Sequence, residues 1–208
     1  PDHLGKWTRI EVAKHRLVYS LLRFKLPVVG KFQDEDKGIA FDFKAENKQG
    51  TERLLTGHDH GLITLNIDEA DDAIREMARN KMEEVYRTVL GHFRHEIGHY
   101  YWDQLIKDTR RLQSFRNLFG DDTTDYGEAL QQHYSKPASN AWTEKFISAY
   151  ASAHPWEDWA ETWAHYMHIV DTMETAYSFG MTLNPRVADP ENEMSARLNI
   201  DPYTTKSI

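Results

Sequence analysis

Residues 92–103 run His92-Phe93-Arg94-His95-Glu96-Ile97-Gly98-His99-Tyr100-Tyr101-Trp102-Asp103. They lie inside a longer helical pattern, from Glu83 to Ile106, whose apolar stripe is Val85, Val89, Phe93, Ile97, Tyr100 and Leu105. On such a helix, residues four apart differ by about 40° around the axis and lie roughly 6 Å apart along it. His95 and His99 can therefore converge on one tetrahedral ion. Glu96 is one step on, too close to join comfortably as a ligand but placed to take a proton from a metal-bound water. Gly98 costs about 1 kcal/mol in a helix relative to Ala, so a close-packing partner is expected at that position.

The flanking sequence gives an α+β order. Trp7 to Phe24 reads as an amphipathic helix with Ile10, Leu17, Leu21 and Phe24 on one face and Lys14 as a polar break. Ile39, Phe41 and Phe43 alternate like a strand, and so do Ile63, Leu65 and Ile67, with a polar loop from about Glu46 to Gly61 between them. Helical patterns then cover Asp68 to Met82, Glu83 to Ile106, Leu112 to Phe119, Tyr126 to Tyr134 and Trp142 to Ala151. A last helix runs from Pro155 to about Phe179 and stops at Gly180. The expectation is a single domain over residues 1–208, with a small mixed sheet, a mainly helical second half and an irregular tail over 184–208.

Composition narrows the chemistry. The 208 residues carry a formal charge of −8 and no cysteine. Thiolate zinc sites, disulfides and Cys nucleophiles are excluded, so any metal must sit on His and carboxylates. No basic stripe is present, which argues against a nucleic-acid partner and a polybasic membrane anchor. No run of 18 apolar residues exists to span a membrane. With no visible signal peptide, the expected location is the cytoplasm. Oligomeric state is not encoded in any feature of the chain.

A catalytic zinc keeps three protein ligands and one open position, so a third ligand must come from elsewhere. The best source is Pro155-Trp156-Glu157-Asp158-Trp159-Ala160-Glu161, where Glu157 and Glu161 share one helix face. Like charges at that spacing repel unless a cation intervenes. Glu157 falls in the first helical turn, where free N–H groups and the dipole favour an anion facing a cleft. Glu161 is a turn deeper between Trp159 and Trp163, where a carboxylate needs a partner such as the ring N–H of a metal-bound His. The expectation is therefore one Zn²⁺ per chain on His95, His99 and Glu157, with Glu161 supporting a ligand from behind. Asp103, four past His99, is a candidate to orient that ring. His58 and His60 read more naturally as a surface loop than as a second ion site. His165 and His168 follow Glu161 on its helix, and His165 is a weaker alternative as a ligand.

The two motifs together resemble the zincins whose third ligand is Glu, the gluzincins. The region Tyr150 to Glu161 is also similar to the matching helix region of anthrax lethal factor. More closely, nearly the whole chain resembles a family of bacterial zinc-binding metallopeptidases. The phrases 92–103 above and Ser148-Ala149-Tyr150-Ala151-Ser152-Ala153-His154-Pro155-Trp156-Glu157-Asp158-Trp159-Ala160-Glu161 carry that match. The resemblance implies a zincin-like fold and hydrolysis of peptide bonds in a peptide or protein substrate. It implies Glu96 as general base acting on a zinc-activated water. It also implies that the Tyr150 hydroxyl stabilises the oxyanion, with nearby His154 as the alternative. Members of the family typically carry a Cys-rich zinc ribbon ahead of the peptidase domain, which this chain does not contain. Two other functions fit the same residues: a zinc-binding scaffold without turnover, and metal-assisted hydrolysis of a non-peptide amide.

Overall fold

The computed structural model describes residues 3–45, 56–81, 87–135, 140–181 and 201–203. Helix α1 (Leu4–Arg23) buries Ile10, Ala13, Leu17, Ser20 and Leu21, a stripe repeating at three and four. It begins about one turn before the predicted Trp7. Lys14, the polar break, lays its ammonium 5.8 and 5.5 Å from the rings of Phe41 and Phe43 and pairs with Glu11.

Three strands follow: β1 (Ala40–Lys44), β2 (Gly57–Asp59) and β3 (Leu62–Asn66), in the order β1-β3-β2. β1 is parallel to β3, and β2 is antiparallel to it. The alternation in 62–66 is met: Ile63 and Leu65 are fully buried. β2 falls inside what the sequence presents as a polar loop. The turn joining it to β3 places His60 at φ 45° and Gly61 at φ 82°. This is the left-handed pairing that tight hairpins favour. A Cβ on Gly61 would meet the Gly38 carbonyl oxygen at 2.3 Å, so only glycine fits there.

A 3-10 turn (Ile67–Ala70) leads into α2 (Asp72–Lys81), so the predicted helix from Asp68 is broken. Asn66 caps the turn and Asp71 accepts from Ala73 and Ile74. α3 (Val89–Leu105) starts later than the predicted Glu83. Thr88 is in extended backbone, and its hydroxyl accepts from Gly91 N at 3.0 Å, so the helix begins there. Val85 lies outside the described residues. α4 (Leu112–Phe119) and α5 (Tyr126–Ser135) match their patterns. The predicted helix Trp142 to Ala151 is not formed. That stretch holds only two 3-10 turns, Asn140–Trp142 and Tyr150–Ala153, and the Ser148 hydroxyl accepts from Ala151 N in place of a helical carbonyl. α6 (Pro155–Ser178) closes the order, with Gly180 at φ 62° after it. Of the predicted tail, only 201–203 lie among the described residues, where Tyr203 packs on Phe24 with ring centroids 5.0 Å apart.

α3 is the central element, buried on most of its circumference. Phe93 faces the sheet, 5.6 and 6.0 Å from the rings of Phe41 and Phe43. The opposite side packs on α6. A Cβ on Gly98 would lie 3.1 Å from Ala160 Cα and 3.3 Å from Trp163 Cβ, which supplies the packing reason its helical cost demanded. The chain is thus mixed α and β, with a small sheet and a mainly helical remainder. Among the described residues no helix is long and apolar enough to cross a membrane.

Candidate metal centre

The close approach of α3 and α6 brings His95, His99 and Glu157 together. His95 Nε2 and His99 Nε2 are 3.1 Å apart. Glu157 Oε2 is 3.0 Å from the first and 3.6 Å from the second. A tetrahedral ion with bonds of 2.0–2.1 Å holds its ligand atoms about 3.3 Å apart, so this triangle has the size of one face of such a shell. Glu157 is only 1% exposed, and Oε2 makes no directed hydrogen bond. A buried carboxylate oxygen in that state wants a cation. Among the described residues this is the group of ligating side chains that can hold a metal ion.

The surrounding bonds fix the lone pairs. His95 Nδ1 is 2.8 Å from Glu161 Oε1. The carboxylate can only accept, so Nδ1 carries a ring proton and Nε2 is the nitrogen that faces the cluster. Glu161 Oε2 accepts from the Ser148 hydroxyl at 2.7 Å, so both its oxygens are satisfied. Burial disfavours charge on His95, but the Glu157 carboxylate 3.0 Å from Nε2 and the hydrogen bond to Glu161 outweigh it and hold its pKa well above the imidazole range. Burial likewise opposes ionisation of Glu157, and the two imidazoles reverse it, keeping the carboxyl well below its usual range. The cluster favours an ionised carboxylate with positive charge beside it.

His99 is oriented differently from His95. Its ring lies against Trp156, tilted at 38° with centroids 3.8 Å apart, and Nδ1 has no hydrogen-bond partner among the described residues. The structure does not bring Asp103 to it. That carboxylate faces Lys107 Nζ at 3.6 Å, and burial raises its pKa. Glu96 is half-buried and, among the described residues, makes no hydrogen bond or ion pair. Its charge nevertheless acts on His95 and on Tyr126.

Tyr150 is in the 3-10 turn before α6, its ring 5.9 Å from that of His95. Burial, then the charge of Glu157, push its pKa far above the ordinary phenol value, so its hydroxyl remains a donor. His154 is committed elsewhere: Nδ1 accepts from Trp156 N as the cap of α6, and Nε2 donates to the Thr124 carbonyl. His58 and His60 do not share a site. His58 Nε2 accepts from Gly61 N in the hairpin, and burial followed by nearby His99 lowers its pKa to about 4. His60 is exposed and pairs with Asp59. His165 donates to the Glu161 carbonyl. His168 Nδ1 accepts from the buried Arg94, whose other arm reaches Asp171 at 2.6 Å.

Two contributors went unseen in the sequence. Trp156 carries the His99 ring, and Tyr126 donates its hydroxyl to Glu157 Oε1 at 2.7 Å. Tyr126 is 31 positions from Glu157, and no local pattern links the two. The strand 62–66 is central in the sheet. β2 is the short outer strand, and its His58 ring meets Tyr100 of α3 at 6.2 Å.

Fold and cluster together define an α+β protein in which two packed helices share a group of side chains that can hold a metal ion. The chain belongs to the family described as "Putative zinc-binding metallo-peptidase", whose profile matches residues 3–208. Uncharacterized proteins of Mycobacterium tuberculosis and Mycobacterium bovis are 48% identical to it over 179 residues, which cover 86% of this chain and 52% of each relative. The chain thus spans about half the length of the curated relatives it matches. No solved structure matches it.

Proposed function

We propose that the chain is a zinc-dependent metallopeptidase, a zincin-like single domain of the gluzincin type that hydrolyses peptide bonds. One observation carries the reading: a buried carboxylate oxygen, Glu157 Oε2, lies without a hydrogen bond against two converging imidazole nitrogens. In this reading His95, His99 and Glu157 hold one zinc per chain. Bound there, the ion supplies Lewis acidity and lowers the pKa of water toward 7.

The chain's own residues do the rest. Among the described residues Glu96 has no competing partner, so its carboxylate accepts the proton of the attacking water and returns it to the leaving amine. Tyr150, kept protonated by burial, donates its hydroxyl to the developing oxyanion. Glu161 holds His95 in the tautomer that leaves Nε2 unprotonated, and Ser148 holds Glu161. The family description supports a peptide or protein as substrate.

The test is metal analysis of purified protein together with a peptide-library digest by wild type and Glu96→Gln. The variant keeps the shape of the side chain and loses the base. It should retain zinc while hydrolysis falls by about 10²-fold to 10⁴-fold. A Glu96→Gln protein cutting a verified substrate at the wild-type rate would refute this mechanism.

A further inference from the structure

We propose that Tyr126 is a positioning residue that keeps Glu157 a one-oxygen ligand, an inference that rests on the zinc reading above. The two oxygens of Glu157 have different surroundings. Oε2 faces both imidazoles and makes no hydrogen bond, whereas Oε1 accepts the Tyr126 hydroxyl at 2.7 Å. Hydrogen bonds to an ionised acceptor are roughly twice as strong as neutral ones. Such a bond draws electron density from Oε1 and turns it away from the cluster. A carboxylate free at both oxygens can chelate through both, and so fill a position that substrate needs.

Tyr126 is itself held in place from two directions. It opens α5, where Asp125 Oδ1 accepts from Glu128 N at 2.7 Å and so stops the first turn from fraying. Its ring meets His154 edge-on at 5.4 Å and Trp156 edge-on at 5.6 Å. His154 donates back to the Thr124 carbonyl, tying the segment before α5 to the start of α6. Trp156 is the ring against which His99 lies. Tyr126 therefore touches Trp156, against which the His99 ring lies, and bonds directly to Glu157.

The test uses Tyr126→Phe, which keeps the ring and its edge contacts and removes only the hydroxyl. Zinc affinity should fall by about 10-fold to 100-fold, the usual effect of losing a group that orients a ligand. The cobalt-substituted variant should show weaker visible absorption than cobalt-substituted wild type, as a five-coordinate centre replaces a four-coordinate one. A mere packing role would not move that spectrum. Wild-type affinity together with a wild-type cobalt spectrum in Tyr126→Phe overturns the proposal while leaving the zinc reading intact. If the variant does not fold, X-ray absorption of zinc-loaded wild type still decides. One oxygen from Glu157 in a four-coordinate shell upholds the proposal, and chelation through both oxygens overturns it. A wild-type protein that takes up no zinc overturns both readings.

Discussion

Glu157 and Glu161 have the same chemistry, the same helix and the same face, yet their neighbours give them different work. Glu161 has both oxygens in hydrogen bonds, to His95 and to Ser148. Glu157 has one oxygen left over, and it faces the imidazoles. Zinc titrations should therefore rank the variants. Glu157→Gln should lose most of the affinity, and Glu161→Gln about 10-fold to 100-fold. The reverse ranking would mean that the two roles are exchanged. A second residue-scale prediction concerns pH. Burial, reinforced by the Arg94 guanidinium, lowers the pKa of His168 to about 4 from an unfolded value near 6.5. Between those values the unfolded chain takes a proton that the folded chain refuses. Stability is thus full above pH 6.5 and falls as pH drops toward 4. For this partly exposed ring the loss is about 1–2 kcal/mol, after allowing for solvent screening. Urea midpoints of zinc-free protein at pH 7.5 and 4.5 should show the drop, and His168→Gln should shrink it. An equal drop in the variant would assign the effect to other groups.

The contact of α3 with α6 is the element on which the candidate ligand cluster depends. Gly98 lets the two helices approach until Trp159 Nε1 donates to the Gly98 carbonyl at 2.8 Å. Gly98→Ala gains about 1 kcal/mol of helix propensity. It also drives a methyl to 3.1 Å from backbone Ala160 Cα, which has little room to yield. Overpacking costs about 1–3 kcal/mol, so the expected balance is a net loss on the order of 1 kcal/mol. Zinc affinity should fall with it, because His95 and His99 ride on one helix and Glu157 on the other. Thr88→Ala separates the two effects. Removing that cap should cost about 1 kcal/mol and leave zinc affinity unchanged, since Thr88 lies about two turns from His95. Denaturant unfolding with parallel zinc titration checks both. A Gly98→Ala protein with undiminished affinity would mean that the helix spacing does not set the cluster.

Across the whole molecule, α1, the sheet, α3 and Met167 of α6 share one apolar core. Trp102, Ile106 and Phe115 form a second cluster, joined to α6 through Trp156 and Trp159. The candidate ligands sit where these clusters meet, so binding there should couple to unfolding of the domain. At free zinc about 100 times the dissociation constant, the expected stabilisation is about 2.7 kcal/mol. Thermal melts with zinc and with a chelator should differ by that amount, and His95→Ala/His99→Ala should abolish the difference. Metal analysis should find about one zinc per chain in wild type and none in that double variant. Full occupancy in the double variant would remove His95 and His99 from the site.

The helical and strand periodicities of 4–23, 62–66, 89–105 and 155–178 were readable because each depends on residues within a few positions of one another. The same holds for the pairing of His95 with His99, since a helix fixes the direction of residues four apart. The order of Glu157 and Glu161 could be argued from one helix end and two Trp. Tertiary structure alone decided the rest. The strand Gly57–Asp59 exists because β3 offers it an edge, although the residues between β1 and that edge carry little strand pattern of their own. The segment 142–151 has a helical pattern, but its Ser148 hydroxyl serves Glu161 and Ala151 N, and the stretch turns instead. Asp103 was the natural neighbour of His99 in sequence, yet a Trp from another helix holds that ring. Tyr126 could not be read at all: a hydrogen bond across 31 positions depends on how α5 and α6 pack, and side-chain pattern within a helix does not encode which helix it will meet.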